Sequence, residues 1–457
     1  MRINLLGGSV KGRAAQVTAQ ERTNVYVERT PDGDKAELIA YGLPGHVPVY
    51  RQGTSPIIIV GINPAVKFLY FVDTGATPHL YVSDLNESLG TRYILDMGAL
   101  ASYPTAAQHF NASFACNAVT AECLVASVAA VDQPTTPFKG ARLSRCIGSV
   151  YPLTEVGPPG VEDITAVAFY GDRFVCNSQA EHGKLYWSAL QDGTTWTGEA
   201  MIIEGVGQIM ALQPWKDVLI VFGNYGTAFL SKTEDQYAPY APIIGAKGDF
   251  SILDPFSVAA VGDSILFAAT RSNGQRQFAT LNGYSAQPIG LPDLTYLMDE
   301  EQVPADYKHI YQAGAFSFGG HDFYWVRYST DTRAVLYDLT SGAWSYWDMG
   351  AVYSTFGTRG WQNKAAVFAT LGDGNVVELS AKAHTYRSGN ANLPITYRVT
   401  LPHLFDSNNL GLPVVSRFVL DHAGTGPAPT LSISRNGGTT FGPAKEGSPL
   451  GNGRVWR

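Results

Sequence analysis

Charge is in short supply in this sequence. Asp, Glu, Lys and Arg make up 16% of the 457 residues, against about a quarter in an ordinary globular chain. The balance is mildly acidic, with a formal charge of −7. Gripping nucleic acid over a wide surface needs clustered Lys and Arg to neutralise phosphates, so that class of function is argued against. DNA sliding past an acidic wall is still compatible. Cysteine is scarce too: Cys116, Cys123, Cys146 and Cys176 show neither CxxC spacing nor the density of a disulfide scaffold. They read as small buried hydrophobes ahead of metal ligands or bridges. No apolar run approaches the roughly 20 residues that cross a bilayer, so no membrane anchor is expected. The apolar core of MRINLLGGSVKGR is too short for a signal peptide, which makes a reducing cytosol the expected place of synthesis.

Signatures of catalysis are missing as well. In Gly7–Ala14, GGSVKGRA, the glycines have phosphate-loop spacing, but Arg13-Ala14 stands where Lys-Ser/Thr would have to reach phosphate and magnesium. Gly205-Val206-Gly207 lacks the third glycine of a dinucleotide turn. There is no HExxH, GxSxG or EF-hand loop, and the nine histidines are scattered singly. Asp299-Glu300-Glu301 gathers carboxylates on a loop, and a solvated turn is the plainer reading than a general acid/base pair. Asn86-Glu87-Ser88 and Asn111-Ala112-Ser113 fit a glycosylation pattern that means nothing in a cytosolic chain. No catalytic, cofactor-binding or metal-ligating residue is nominated, and interface residues are not identifiable at this stage.

What the chain does have is glycine (48 residues), aromatics (12%) and 45% hydrophobic residues, enough to exclude disorder and typical of a turn-rich all-β protein. Ile164–Leu190 is the clearest stretch: three apolar runs broken at Gly171-Asp172 and at Glu181-His182-Gly183, the pattern of an antiparallel meander. Three such strands cannot bury their own apolar faces and need neighbours built alike. A marker strand of apolar-aromatic-apolar-Ser/Asp type recurs at Leu80–Ser83, Leu185–Ser188 and Leu336–Leu339. Weaker copies lie at Cys123–Ala126, Ala228–Ser231, Phe278–Leu281 and Val377–Ser380. Their spacing of roughly 40 to 60 residues is that of four-stranded propeller blades, and radial closure buries each small sheet between two others. The fold class expected is therefore all-β: a β-propeller of about seven blades, six being possible, over residues 51–385. A stack of separate β-sandwiches is the alternative. Residues 1–50 read as an extended arm. Residues 386–457 read as a linker followed by a small C-terminal β domain, sandwich-like, either incomplete or completed by strands of the N-terminal arm, with a hairpin at Gly437-Gly438.

Several motifs carry resemblances. Ser434–Phe441 and, more loosely, Asp192-Gly193-Thr194-Thr195-Trp196 resemble the Asp-box hairpin of sialidase-type propellers. That family would require an arginine triad, a tyrosine and carboxylates in a central funnel; Arg173, Arg271, Arg327 and Arg333 are present, but no spacing singles out three. Tyr337–Trp344 is similar to a kelch blade strand, which bears on architecture alone. Taken in order, RTNVYVE, YGLPG, DITAVAFYGDRFVCNS, KLYWSAL, GTTW, VLYDLTSGAWSYW, SISRNGGTTFG and GRVWR span essentially the whole chain. That order resembles the tail hub proteins of tailed phages, of the packaged-DNA stabilisation or tail accessory factor type, related to the nozzle proteins of short-tailed phages.

The resemblance implies a non-enzymatic virion protein, a propeller with an attached β domain assembled as a homohexameric ring. It further implies that the ring lies below the portal and its adaptor ring proteins, docks a tail fibre or tailspike on its outside, and retains and then passes double-stranded DNA non-specifically. The expected location is the virion tail, after synthesis in the host cytoplasm, with no cofactor. A glycan-binding or glycan-hydrolysing propeller of sialidase type is the alternative function, and an intracellular kelch-type adaptor a third.

Overall fold

The computed structural model describes residues 10–11, 19–29, 38–51, 55–63, 66–73, 77–84, 94–101, 109–130, 138–290, 310–328, 333–361, 364–401, 418–421, 428–434, 440–450 and 453–456. Seven antiparallel sheets fan around an axis as a seven-bladed β-propeller. Blade 3 shows how the sequence makes such a sheet. Val167–Tyr170, Arg173–Asn177 and Lys184–Trp187 pair in succession, and Ala200–Ile202 closes the outer edge. The inner turn is tight because Gly171 and Asp172 both take left-handed backbone, φ 60° and 65°, which suits the twist of a two-residue hairpin.

The axis-lining strands of the other blades are Ile57–Asn63 (blade 1), His109–Cys116 (blade 2), Ile209–Trp215 (blade 4), Ile310–Phe318 (blade 6) and Val352–Trp361 (blade 7). Blade 5 divides that role between Phe250–Ile252 and Ala259–Val261, with a single 3-10 turn, Pro255–Ser257, between them. Seven apolar cores fill the seven junctions between neighbouring blades, so each sheet buries both faces. Trp325 and Trp347 are wholly enclosed between blades 6 and 7, and burying a side chain of that size stabilises by roughly 2–3 kcal/mol.

Apolar packing is non-directional, and a polar staple sets the register at every junction. Tyr70 OH donates to Gly148 O (2.8 Å) between blades 1 and 2, and Ser113 Oγ to Val167 O (3.1 Å) between 2 and 3. Asn177 Nδ2 donates to Ile209 O (2.8 Å) between 3 and 4, and Thr227 Oγ1 to Phe250 O (3.1 Å) between 4 and 5. Tyr324 OH donates to Ser257 O (2.8 Å) between 6 and 5, and Arg327 Nε to Val352 O (2.9 Å) between 6 and 7. Ile59 N donates to Ser354 Oγ (2.7 Å), which joins blade 1 to blade 7 and completes the circle. Each bond satisfies a group that burial would otherwise leave costly.

Three readings of the sequence need correction. Six of the seven marker strands are the third strand of their blade, but Cys123–Ala126 lies in the second strand of blade 2, Glu122–Ala130; the third is Leu143–Ile147. An insertion between the two strands moves the third one downstream of the expected spacing. The arm of residues 1–50 is not separate from the propeller: Gly45–Arg51 is the outer strand of blade 7, antiparallel to Asn375–Ser380, and so closes the ring. The stretch taken as a linker after residue 385 begins as a hairpin, Thr385–Ser388 with Ala391–Pro394. It is held to blade 7 by Asn375 Nδ2 donating to Gly389 O (3.0 Å) and Arg387 N donating to His46 Nδ1 (3.2 Å).

The two ends of the chain also meet at blade 6. Ala19–Thr23 runs parallel to the outer strand Ala343–Trp347 and pairs on its other side with Arg398–Thr400. Beyond that, the described C-terminal residues form a three-stranded sheet (Phe418–Asp421, Ser448–Leu450, Gly453–Trp456) and the pair Thr430–Leu431 with Lys445–Glu446. Gly437-Gly438 lies outside the described residues.

Candidate functional site

The two faces of the propeller differ. One carries the hairpin turns that join first to second strands, where Lys67, Ala121, Gly171, Asp172, Lys216, Gly262, Gly319 and Gly320 have left-handed backbone. Turns this tight leave little chain to project, so the side chains they expose form a shallow surface. Over blades 2 and 3 these turns and the third-to-fourth-strand turns beside them expose apolar side chains: Val119 is 76% exposed, Val150 64%, Leu190 60% and Ile147 38%. Over blades 4 and 5 Tyr237 and Tyr284 are exposed as well, among the charged Lys216, Asp217, Glu234, Asp235 and Asp263. Local bonds fix the turns. Gly148 N donates to Ala121 O (3.0 Å), and Asn117 Nδ2 donates to Gln191 O (3.4 Å) across to blade 3.

Beneath this surface, Glu122 clamps blade 2 to blade 3. Its buried carboxylate accepts from Arg145 Nε and from Gly193 N (2.9 Å). Gly193 belongs to the Asp-box-like turn, whose Trp196 Nε1 donates to Gly193 O (2.7 Å) while its ring packs in the core between blades 2 and 3. Asp192 Oδ1 accepts from Thr194 N (2.8 Å). Burial opposes the charge on Asp192, but bonds from Thr194 and Thr195 outweigh it and lower its pKa. The second Asp-box-like segment lies mostly outside the described residues.

At the opposite face the propeller's axis is crossed. The second strand of blade 2 continues past its third strand, and Ala129–Ala130 pair with Phe138–Lys139. Val128 and Phe138 bury themselves in the core between blades 4 and 5, where Phe138 meets Phe256 edge to face at 5.9 Å. Blades 2 and 5 are not ring neighbours, so this extension spans the mouth of the channel.

The arginines considered for a triad do not converge. Arg173 is buried in blade 3 and donates to Ser188 O (2.7 Å). Arg327, in blade 6, donates to Gln312 Oε1 (2.9 Å) and stacks over Tyr353. Arg333 lies over Tyr346, and Arg271 ends the second strand of blade 5. The kelch-like turn is a structural knot: Asp338 accepts from Thr340 N (3.0 Å) and Ser341 Oγ (2.6 Å) and lies 2.9 Å from His321 Nδ1. Gly205-Val206-Gly207 is a crossover between blades 3 and 4, and a Cβ at Gly207 would strike the side chains of Asn224 and Tyr225. Asp299-Glu300-Glu301 lies outside the described residues, as does all of Gly7–Ala14 except Val10–Lys11, which pairs with Ala19–Gln20. Among the described residues no three His, Cys, Asp or Glu side chains are placed to hold a metal ion.

The segments RTN and AWSYW, far apart in sequence, meet at blade 6. Arg22 is buried and donates to Trp344 O (2.8 Å). Burial lowers its pKa to about 10, against the opposing attraction of Asp338. Asn24, at φ 59°, sends Nδ2 to Asp348 O (3.0 Å) and Thr396 O (2.9 Å) and accepts from Asp348 N (2.7 Å) at Oδ1. Their contact leaves no trace in the local sequence, because no local periodicity reports a partner some 320 residues away.

No family model matches the chain, and no curated protein matches it. Solved structures do. The WD40 domain of Pan2 from Neurospora crassa is 10% identical, covers 72% of this chain and 90% of its own length, and has a TM-score of 0.40. The WD40 propeller domain of Doa1 is 9% identical over 74% of this chain and 96% of its own, with a TM-score of 0.39. BamB from Moraxella catarrhalis is 9% identical, covers 74% and 100% respectively, and has a TM-score of 0.38.

Proposed function

We propose that this chain is a non-enzymatic structural subunit of a virion, the hub or nozzle ring of a phage tail. Six copies would form a ring below the portal and adaptor, carry a fibre or tailspike on the outside, and retain and then pass double-stranded DNA. The observation that carries the reading is the set of apolar side chains exposed in the turns of blades 2 and 3, Val119, Ile147, Val150 and Leu190, which suits contact with protein neighbours. Order along the chain supports it, since the motifs that resemble tail hub proteins run from Arg22 to Arg457. The acidic balance is also compatible with a conduit, because a wall binding DNA through many counterion-releasing contacts would hold the genome back. With the propeller's own axis spanned by the blade 2 extension, DNA would travel along the axis of the assembled ring, outside any single propeller. Electron microscopy of intact particles tests the reading: six copies per tail at the ring below the adaptor are expected. A strictly monomeric protein absent from particles, or hydrolysis of glycans by the purified chain, would overturn it.

A further inference from the structure

The cysteines are scarce, and three of the four stand side by side. Cys116, Cys123 and Cys146 lie on the first, second and third strands of blade 2, and the register pairs Cys116 with Cys123 and Cys123 with Cys146. Directly opposed residues of a sheet project from the same face, here the one toward blade 1. The Cys123 Sγ lies 3.2 Å from the Cys116 Sγ and accepts from Asn63 Nδ2 of blade 1 (3.4 Å). Asn117 N donates to Glu122 O (2.8 Å), which makes 117/122 a hydrogen-bonded pair and, by alternation, 116/123 a non-hydrogen-bonded one. Such pairs hold their Cα atoms about 4.5 Å apart, within the roughly 4.4–6.8 Å that a disulfide spans. Cys116 is half-buried, whereas Cys123 and Cys146 are buried.

We propose that Cys116 and Cys123 form a reversible dithiol–disulfide pair, closed by small hydroperoxides and reopened by low-molecular-weight thiols. One sulfur of the pair attacks a peroxide oxygen. The O–O bond breaks, the alkoxide or hydroxide leaves with the thiol's proton, and that cysteine becomes a sulfenic acid. The other sulfur then attacks it, the S–O bond breaks, and hydroxide leaves with the second proton as water. Two thiols lose two electrons and the peroxide gains them. Burial opposes a charge on Cys123, but bonds from Cys116, Cys146, Asn63 and Tyr70 outweigh it and hold its thiol below the ordinary value, while the bond to Cys123 and burial push the Cys116 thiol up, so the pair gives up its first proton at Cys123. The bond would lock the hairpin carrying Val119, directly beneath the exposed apolar turns. This inference does not depend on the proposed function.

The test uses the reduced full chain, treated with one equivalent of hydrogen peroxide, alkylated in denaturant and cut after glutamate and after lysine and arginine. Cleavage at Glu122 and Lys139 puts Cys116, Cys123 and Cys146 on three separate peptides. The expected product is the Cys116 and Cys123 peptides joined and two hydrogens lighter, with Cys146 and Cys176 alkylated and the link undone by glutathione. Because only six residues separate the pair in sequence, the folded chain should also form the link on the order of tenfold faster than the chain in urea. Four alkylated thiols, a sulfinic or sulfonic Cys116 beside an alkylated Cys123, a Cys123–Cys146 link instead, or equal rates in urea would each overturn the proposal. Cys123→Ser should abolish the link and Cys176→Ser leave it unchanged. If Cys123→Ser fails to fold, the peptide map of the unsubstituted chain decides alone.

Discussion

Blade 3 and blade 7 are built from the same kind of sheet and assembled in opposite ways. Blade 3 is one unbroken meander from Val167 to Ile202. Blade 7 takes three strands from residues 352–380 and its fourth from Gly45–Arg51, more than 300 residues earlier. Blade 3 has a buried polar hub, and so has the arm that completes blade 7, where it crosses blade 6. Asn177 accepts from Thr165 N (2.9 Å) and Ala166 N (2.8 Å) and donates to Thr165 Oγ1 (2.7 Å) and Ile209 O, so it serves the meander and its next neighbour. Asn24 instead joins the arm, blade 6 and the C-terminal segment. A contiguous blade can form with little loss of chain entropy, whereas a composite one must close a loop around the whole ring before its strands pair. The latch region should therefore be where the molecule opens first.

Removing residues 1–51 should have the largest effect. It strips the outer strand from blade 7 and Leu43 from the core between blades 6 and 7. Thermal unfolding should lose its single transition or shift down by more than about 10 °C; an unchanged transition would mean that ring closure does not depend on this strand. Next come the two hubs. Asn24→Ala and Asn177→Ala each leave several buried groups unbonded and should cost about 3–4 kcal/mol in urea denaturation. Native-state hydrogen exchange should separate them: Asn24→Ala should speed exchange at blade 7 and its latch while sparing blade 3, and equal effects on both blades would erase the distinction.

The latch should also respond to acid. Burial lowers the His46 pKa from 6.5 to about 4, against the opposing pull of Asp373. Since Nδ1 accepts from Arg387 N, the proton of the neutral ring sits on Nε2. As pH falls below 6.5 the unfolded chain takes up a proton that the folded chain refuses. Stability from this group is thus intact above pH 6.5 and lost progressively toward pH 4, by on the order of 3 kcal/mol. Urea midpoints measured between pH 7.5 and 4.5 should show this slope in the native chain and a shallower one in His46→Gln. The smallest effect is expected at the surface between blades 3 and 4, where Lys232 and Asp172 pair while half exposed. Lys232→Met should cost below about 1 kcal/mol, less still at high salt, and a larger loss would mean that this pair is part of the junction.

The same contrast explains what could be read in advance. The meander of blade 3 was legible because its turn residues and apolar runs act over a few neighbours, and the third-strand markers of blades 1 and 4–7 stand out for the same reason. Blade 2 misled because its insertion between second and third strands breaks the spacing that the reading depends on. The row of thiols was invisible as well: Cys116, Cys123 and Cys146 have no motif spacing, and only strand register places them together. Nor could the apolar face be anticipated, since Val119, Val150 and Leu190 look like any other turn residues until the turns are gathered on one side.

Alternating apolar and polar residues, with Gly and Asp at the corners, were enough to determine small antiparallel sheets repeated along the chain, because those preferences are local and steric. Tertiary structure decided for seven over six, that Gly45–Arg51 shuts the circle, that Phe138 reaches over the axis, and that RTN docks on AWSYW. Those outcomes turn on contacts between residues far apart in the chain, whose free energy appears only after the intervening segments have folded and brought them within reach.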